Sequence, residues 1–171
     1  MSDDHKLWEA IIVGGGPAAL SAALVLGGAR KRVLVLEDQK PRNLRAHHSH
    51  NFLTRDKTPP QEILRLARAE ISAYSTVQLR TQHVTEILPF EGAFRVFAEG
   101  DDEPLIAKKV LLATGIEDVL PSISGIDELW TRGIHHCPYC YGWELQDQPL
   151  GILGADENAV QHVLLLTGWS R

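Results

Sequence analysis

The chain has 171 residues, 44% of them hydrophobic and 23% charged, with 14 glycines and 9 prolines, a balance that excludes a disordered, collagen-like or coiled-coil polypeptide. Its 17 Lys and Arg against 22 Asp and Glu leave a net charge of −5 and no basic stripe, so nucleic acid is not expected as a partner. The apolar runs Ala18 to Leu26 and Val160 to Leu166 are too short to span a bilayer.

The first residues, Met1 to Lys6, are acidic and lack the apolar stretch of a secretory signal, so a reducing cytoplasm is the expected location. Residues 9 to 37 then read as one βαβ unit. The apolar run Ala10 to Val13 is followed by a glycine cluster, a helix of small residues from Pro17 to about Leu26, and a second apolar run from Arg32 to Glu37. Near-continuous apolar strands imply a parallel sheet covered on both faces. Pro41 to Thr58 lacks periodicity and holds His47, His48 and His50. It reads as a long solvated loop, with a role beside a cofactor or substrate as the alternative.

Thr58, Pro59 and Gln61 mark a helix start, and Ile63, Leu64, Leu66, Ala67 and Ile71 supply its apolar face. Val77 to Arg80, Val84 to Leu88, Phe94 to Ala98 and Leu105 to Leu112 predict a β-meander with polar turns. The last of these runs into Ala113-Thr114-Gly115. A junction is expected within Ile116 to Leu120, dividing the chain into residues 1–117 and 118–171. Beyond it, Leu150 to Ala159 and the apolar stretch Val160 to Leu166 predict a second strand, tight turn and helix that echo the first.

Gly14-Gly15-Gly16-Pro17-Ala18-Ala19 fits G-x-G-x-x-A directly after a strand and before a helix. Gly14 permits the tight turn, Gly16 lets the backbone approach a pyrophosphate, and Ala19 lets the helix pack closely on the strand. The N–H groups and dipole at the helix start favour the anion. Glu37, at the end of the second strand, is placed to take ribose hydroxyls.

Both cysteines lie in Cys137-Pro138-Tyr139-Cys140. In a CxxC pair one thiolate attacks a disulfide and the second resolves the mixed disulfide. A zinc half-site, a structural disulfide and a glutaredoxin-like module are the alternatives. A zinc site would need two more ligands, and no second CxxC exists; no metal is expected.

Taken in order, Gly14 to Ala19, Pro41-Arg42-Asn43, His50 to Asp56, Leu111 to Gly115 and His136-Cys137-Pro138-Tyr139-Cys140 resemble the low-molecular-weight thioredoxin reductase family, and in particular its thioredoxin-reductase-like branch. The resemblance implies an α/β fold: a Rossmann-like FAD domain of three ββα-type layers, followed by the start of a second Rossmann-like, NAD(P)H-binding domain that carries the CxxC. It implies that Gly14, Gly16, Pro17 and Ala19 hold the FAD pyrophosphate and Glu37 the ribose. Asn51, Phe52, Leu53 and Thr54 would lie near the flavin, and Thr114 and Gly115 would line the same site. The implied function is an FAD-dependent disulfide oxidoreductase: electrons would pass from NAD(P)H through the flavin to Cys140, which would face it, and Cys137 would attack the substrate disulfide. The implied partner is a thioredoxin-like protein or a small-molecule disulfide, and the implied assembly a homodimer.

The sequence departs from the family pattern in three ways. Tyr141 stands where the family commonly has an Asp after the second Cys, leaving His135 or His136 as the candidate acid, with His136 adjoining the motif. Asp156 replaces the middle glycine of the second fingerprint, Gly154 to Ala159, which sets a carboxylate against a pyrophosphate and leaves NAD(P)H binding open. The chain also stops one helix into the second unit. Two alternative functions follow: an FAD-dependent dithiol oxidase that uses oxygen, and an inactive nucleotide-binding fragment.

Overall fold

The computed structural model describes residues 7–170; the Met1 to Lys6 segment, on which the expectation about secretion rests, lies outside the described residues. The described chain divides into two compact units. Among the described residues, the first draws on residues 7–44 and Gln61–Asp118, and the second on Arg45–Pro60 and residues 119–170. Residues 45–60, expected within the N-terminal domain, thus group with the cysteine-bearing part of the chain.

In the first unit, strands β1 (Leu7–Trp8) and β2 (Ala10–Val13) precede helix α1 (Pro17–Gly28) and strand β3 (Val33–Glu37). Helix α2 (Pro60–Ile71) leads to β4 (Val77–Thr81), β5 (Val84–Phe90), β6 (Ala93–Ala98), β7 (Leu105–Ala107) and β8 (Val110–Leu112). One sheet is wholly parallel, in the order β4-β3-β2-β8, with Ala10 opposite Val33 and Ile11 opposite Val110. The other runs β1-β7-β6-β5.

Alternation along the central strands covers both faces of the parallel sheet. Ile12, Val33 and Val35 pack with Ala19, Leu20 and Ala23 of α1 and Leu64 and Ile71 of α2. Ile11, Leu34 and Leu36 face the other way, onto Trp8, Val96, Ala98 and Ala107. Burying each such aliphatic side chain stabilises the fold by roughly 1.5–3 kcal/mol. The result is the three-layer ββα arrangement expected of a Rossmann-like cofactor domain.

The expected meander is corrected at both ends. β4 pairs in parallel with β3, because α2 forms a crossover that returns the chain to the sheet edge. The segment Leu105 to Leu112 is two strands, not one: β7 pairs antiparallel with β6 and parallel with β1, and β8 crosses to the parallel sheet beside β2.

The second unit is built largely from turns and short helices: α3 (Ile126–Leu129), α4 (Pro138–Tyr141) and α5 (Glu157–Leu166). Residues 45–60 carry an antiparallel bridge from Ser49 to Thr58. The strand expected at Leu150 to Leu153 does not form. Among the described residues nothing pairs with it, and a strand without a partner leaves its backbone N–H and C=O groups unmet.

Candidate nucleotide site and cysteine centre

Three carboxyl-terminal strand ends meet in the first unit: Val13 of β2, Glu37 of β3 and Leu112 of β8. This is the crevice at which parallel α/β sheets bind ligands. Backbone bonds from Gly14 N to Leu36 O and from Ala113 N to Val13 O, both 2.8 Å, pin the turn to its neighbours. Gly14 has φ +115°, and a Cβ there would fall 2.1 Å from the Ala113 carbonyl oxygen, so no other residue fits. Gly15 is constrained by a side chain instead: a Cβ would lie 1.9 Å from Oε2 of Glu37. The space beside Gly16 is open, with nothing within 4 Å of where a Cβ would sit. Gly16 precedes α1, Pro17 begins it, and Ala19 is fully buried at the contact with the sheet. Thr114 and Gly115, the latter at φ +71°, follow β8 and are exposed.

Glu37 is 3% exposed, and its Oε2 accepts a 2.8 Å bond from Nη2 of Arg68 on α2. No motif marks Arg68 in the sequence, although it leaves a signal. It follows buried Leu64 by four positions and precedes buried Ile71 by three, so a cation interrupts an apolar stripe. An open approach at Gly16, a cradle under Glu37 that any Cβ at residue 15 would fill, and a buried acid at a strand end together fit an adenine dinucleotide such as FAD.

In the second unit Cys137 and Cys140 form a disulfide, with their Cα atoms 5.3 Å apart, and Cys137 immediately precedes the single-turn α4. Asn51, at φ +60°, donates from Nδ2 to the carbonyl oxygen of Tyr139, between the two cysteines. Phe52 and Leu53 beside it are 46% and 89% exposed, and Thr54 has φ +71°. His50 Nδ1 lies 3.2 Å from Glu144 Oε1 and 3.9 Å from Asp56 Oδ1. Among the described residues, His50 is thus the one of the three loop histidines tied to carboxylates, a contact that sequence spacing does not place.

The imidazole of His135 packs against the ring of Tyr141 at 3.9 Å, and burial followed by the neighbouring His136 holds its pKa below the usual value of 6.5. Burial and, after it, Glu144 push the Tyr141 phenol upward. His136 stacks on Trp130, centroids 5.5 Å apart. Tyr141 at this position is therefore a weaker acid than a free phenol, and weaker still than the carboxylic acid it stands in for.

At the second fingerprint Asp156 caps α5, its Oδ1 accepting from Ala159 N at 3.0 Å. That bond, with a further one from the Asn158 amide, holds the carboxyl below its usual range. An anion of the protein already sits where the pyrophosphate of a pyridine nucleotide would meet the helix start, and these residues do not fit that group.

No helix among the described residues is long and apolar enough to cross a membrane. Residues 8–164 match the family described as pyridine nucleotide-disulphide oxidoreductase. A probable thioredoxin reductase of Arthroderma benhamiae is 40% identical over 159 residues, covering 90% of this chain and 39% of that protein. Thioredoxin reductase aclD of Aspergillus oryzae is 33% identical, covering 86% and 48%. The crystal structure of an oxidoreductase from Agrobacterium tumefaciens superposes with a TM-score of 0.89 at 40% identity, over 95% of this chain and 55% of that one. The chain spans about half the length of these relatives, or less. By the family match over most of its residues, the chain belongs to the pyridine nucleotide-disulphide oxidoreductase family, within which it is similar to thioredoxin reductases.

Proposed function

We propose that the chain carries the FAD-binding and dithiol–disulfide parts of a thioredoxin-reductase-like enzyme. The observation that carries this reading is the combination of a closed CxxC disulfide with a glycine turn, Gly14 to Ala19, backed by the buried Glu37. Gly14, Gly16, Pro17 and Ala19 receive the pyrophosphate at the start of α1, and Glu37 takes the ribose. Thr114 and Gly115 line the same cofactor, and the family resemblance assigns Asn51 to Thr54 to the flavin. FAD, when bound, supplies the two-electron chemistry that interconverts the Cys137–Cys140 disulfide and its dithiol.

The protein chemistry on the substrate side is thiol exchange. The Cys137 thiolate attacks a substrate disulfide, one substrate sulfur leaves as a thiol after taking a proton, and Cys140 then displaces the second as the pair closes. With Tyr141 made a weaker acid, His136 beside Cys137 is the proton donor of this scheme. The substrate is a disulfide of a thioredoxin-like protein or of a small molecule. Replacing Cys137 with Ser should abolish disulfide turnover while FAD stays bound; retained turnover would refute the assignment.

The capped start of α5 favours a second reading, in which the same centre runs in the opposite direction. A substrate dithiol is then oxidised to its disulfide, and dioxygen accepts the two electrons and two protons as hydrogen peroxide. Anaerobic mixing of the flavin-loaded protein with NADPH or with a dithiol separates the two. Loss of the oxidised-flavin absorbance with dithiol alone supports the oxidase, and its loss with NADPH refutes it.

A further inference from the structure

Three arginine–carboxylate pairs in the first unit invite comparison. Arg42 meets Asp118 through Nε and Nη2, at 2.9 and 2.6 Å, and Arg65 meets Glu62 through the same two nitrogens, both at 2.7 Å. These are two-pronged pairs, the geometry that a guanidinium and a carboxylate adopt when nothing else competes. The third pair is Arg68 with Glu37. It is the pair with the most buried carboxylate, where an unmet hydrogen bond is most costly, and yet only Nη2 engages, at 2.8 Å on Oε2. Nε of Arg68 is buried and without a partner among the described residues. The pair is held off its complete geometry, and one carboxylate oxygen, Oε1, is outside it.

We propose that Arg68 is a positioning residue for the adenosine ribose: it anchors Oε2 of Glu37 above Gly15 and so reserves Oε1 for a ribose hydroxyl. The proposal rests on reading Gly14 to Ala19 and Glu37 as a dinucleotide site. Gly15 provides the floor, since any side chain there would displace the Glu37 carboxylate. α2 provides the anchor from 31 residues away in sequence. Without Arg68 the carboxylate would sit in a buried site with no fixed direction, and discrimination in favour of a ribose bearing hydroxyls would weaken. That loss is separable from a loss of affinity for the nucleotide as a whole.

The test measures binding of ADP and of 2′,3′-dideoxy-ADP to the 171-residue chain by calorimetry. The wild-type chain should prefer ADP by about tenfold, the order expected for one hydrogen bond to a charged group. Arg68→Met should bring the ratio close to one with little change for the dideoxy nucleotide, and Arg68→Lys should restore part of it. Glu37→Gln should also lower the ratio, and adding Arg68→Met to it should lower it no further, since the arginine acts through the carboxylate. If Arg68→Met does not fold by circular dichroism, Arg68→Gln takes its place. Equal loss of affinity for both nucleotides in the Arg68 variant, or no loss for either, would mean a structural ion pair and would overturn the proposal. A wild-type chain that binds both equally would overturn it while leaving the dinucleotide site intact. A wild-type chain that binds neither would overturn the site reading along with it.

Discussion

A single methyl group on Gly15 would overlap the carboxylate of Glu37, with the added carbon 1.9 Å from Oε2 and 2.5 Å from the Glu37 Cβ. The second contact is the decisive one, because a Cβ cannot swing aside as a carboxylate can. Gly15→Ala is therefore expected to push the whole Glu37 side chain away and break its bond to Arg68. Overpacking of this kind costs roughly 1–3 kcal/mol. Urea unfolding should show that loss, and FAD titration should show weaker binding than the stability change alone explains.

Gly14 is a position of a different kind. Its φ of +115° and its 2.1 Å approach to the Ala113 carbonyl oxygen set two penalties against any side chain, one from the backbone and one from contact with β8. Gly14→Ala should destabilise the first unit by about 2–4 kcal/mol. Gly16→Ala, which meets nothing within 4 Å, should leave apo stability nearly unchanged while weakening FAD binding. Thermal unfolding of the two apo variants checks the contrast directly.

The first βαβ unit was legible in the sequence for a physical reason. β2 and β3 are buried on both faces and so read as unbroken apolar runs, and the turn between β2 and α1 admits only glycine at Gly14 and Gly15. Partner choice for short strands is not written locally. β4 and β8 look like their antiparallel neighbours in composition, and only the crossover through α2 and the switch of sheets after Ala107 place them beside β3 and β2. The run Leu150 to Leu153 has strand-like composition but lacks the partner that would turn composition into a strand. Family resemblance points to Asn51, but its bond to Tyr139 joins residues 88 apart and leaves no periodic trace.

That bond makes a prediction about the redox pair. The Asn51 amide grips the turn between the two cysteines and so favours closure of their disulfide. Asn51→Gly removes the amide yet tolerates φ +60°. The disulfide should then become easier to reduce by a few-fold, the effect of about one hydrogen bond. Equilibration in glutathione buffers followed by thiol alkylation reads the shift, which should appear equally in Asn51→Ala once its backbone cost is measured separately.

His135 predicts a dependence on pH. Burial lowers its pKa below 6.5, so the folded chain holds it neutral while the unfolded chain protonates it as pH falls. Its contribution to stability is complete above about pH 6.5 and is lost progressively below that value, toward the lower folded-state pKa. His135→Gln should flatten this part of the profile. Urea midpoints at pH 5.5 and 7.5 for the two chains provide the comparison, and an unchanged slope in the variant would assign the dependence to other groups.

The central claim is that the glycine turn and Glu37 hold FAD, and the visible absorption spectrum of the purified 171-residue chain after addition of FAD and removal of the excess tests it most directly. The account predicts a structured flavin spectrum that stays with the protein at one equivalent and is lost in Gly14→Ala. A chain that is folded by circular dichroism yet retains no flavin at micromolar FAD would contradict it.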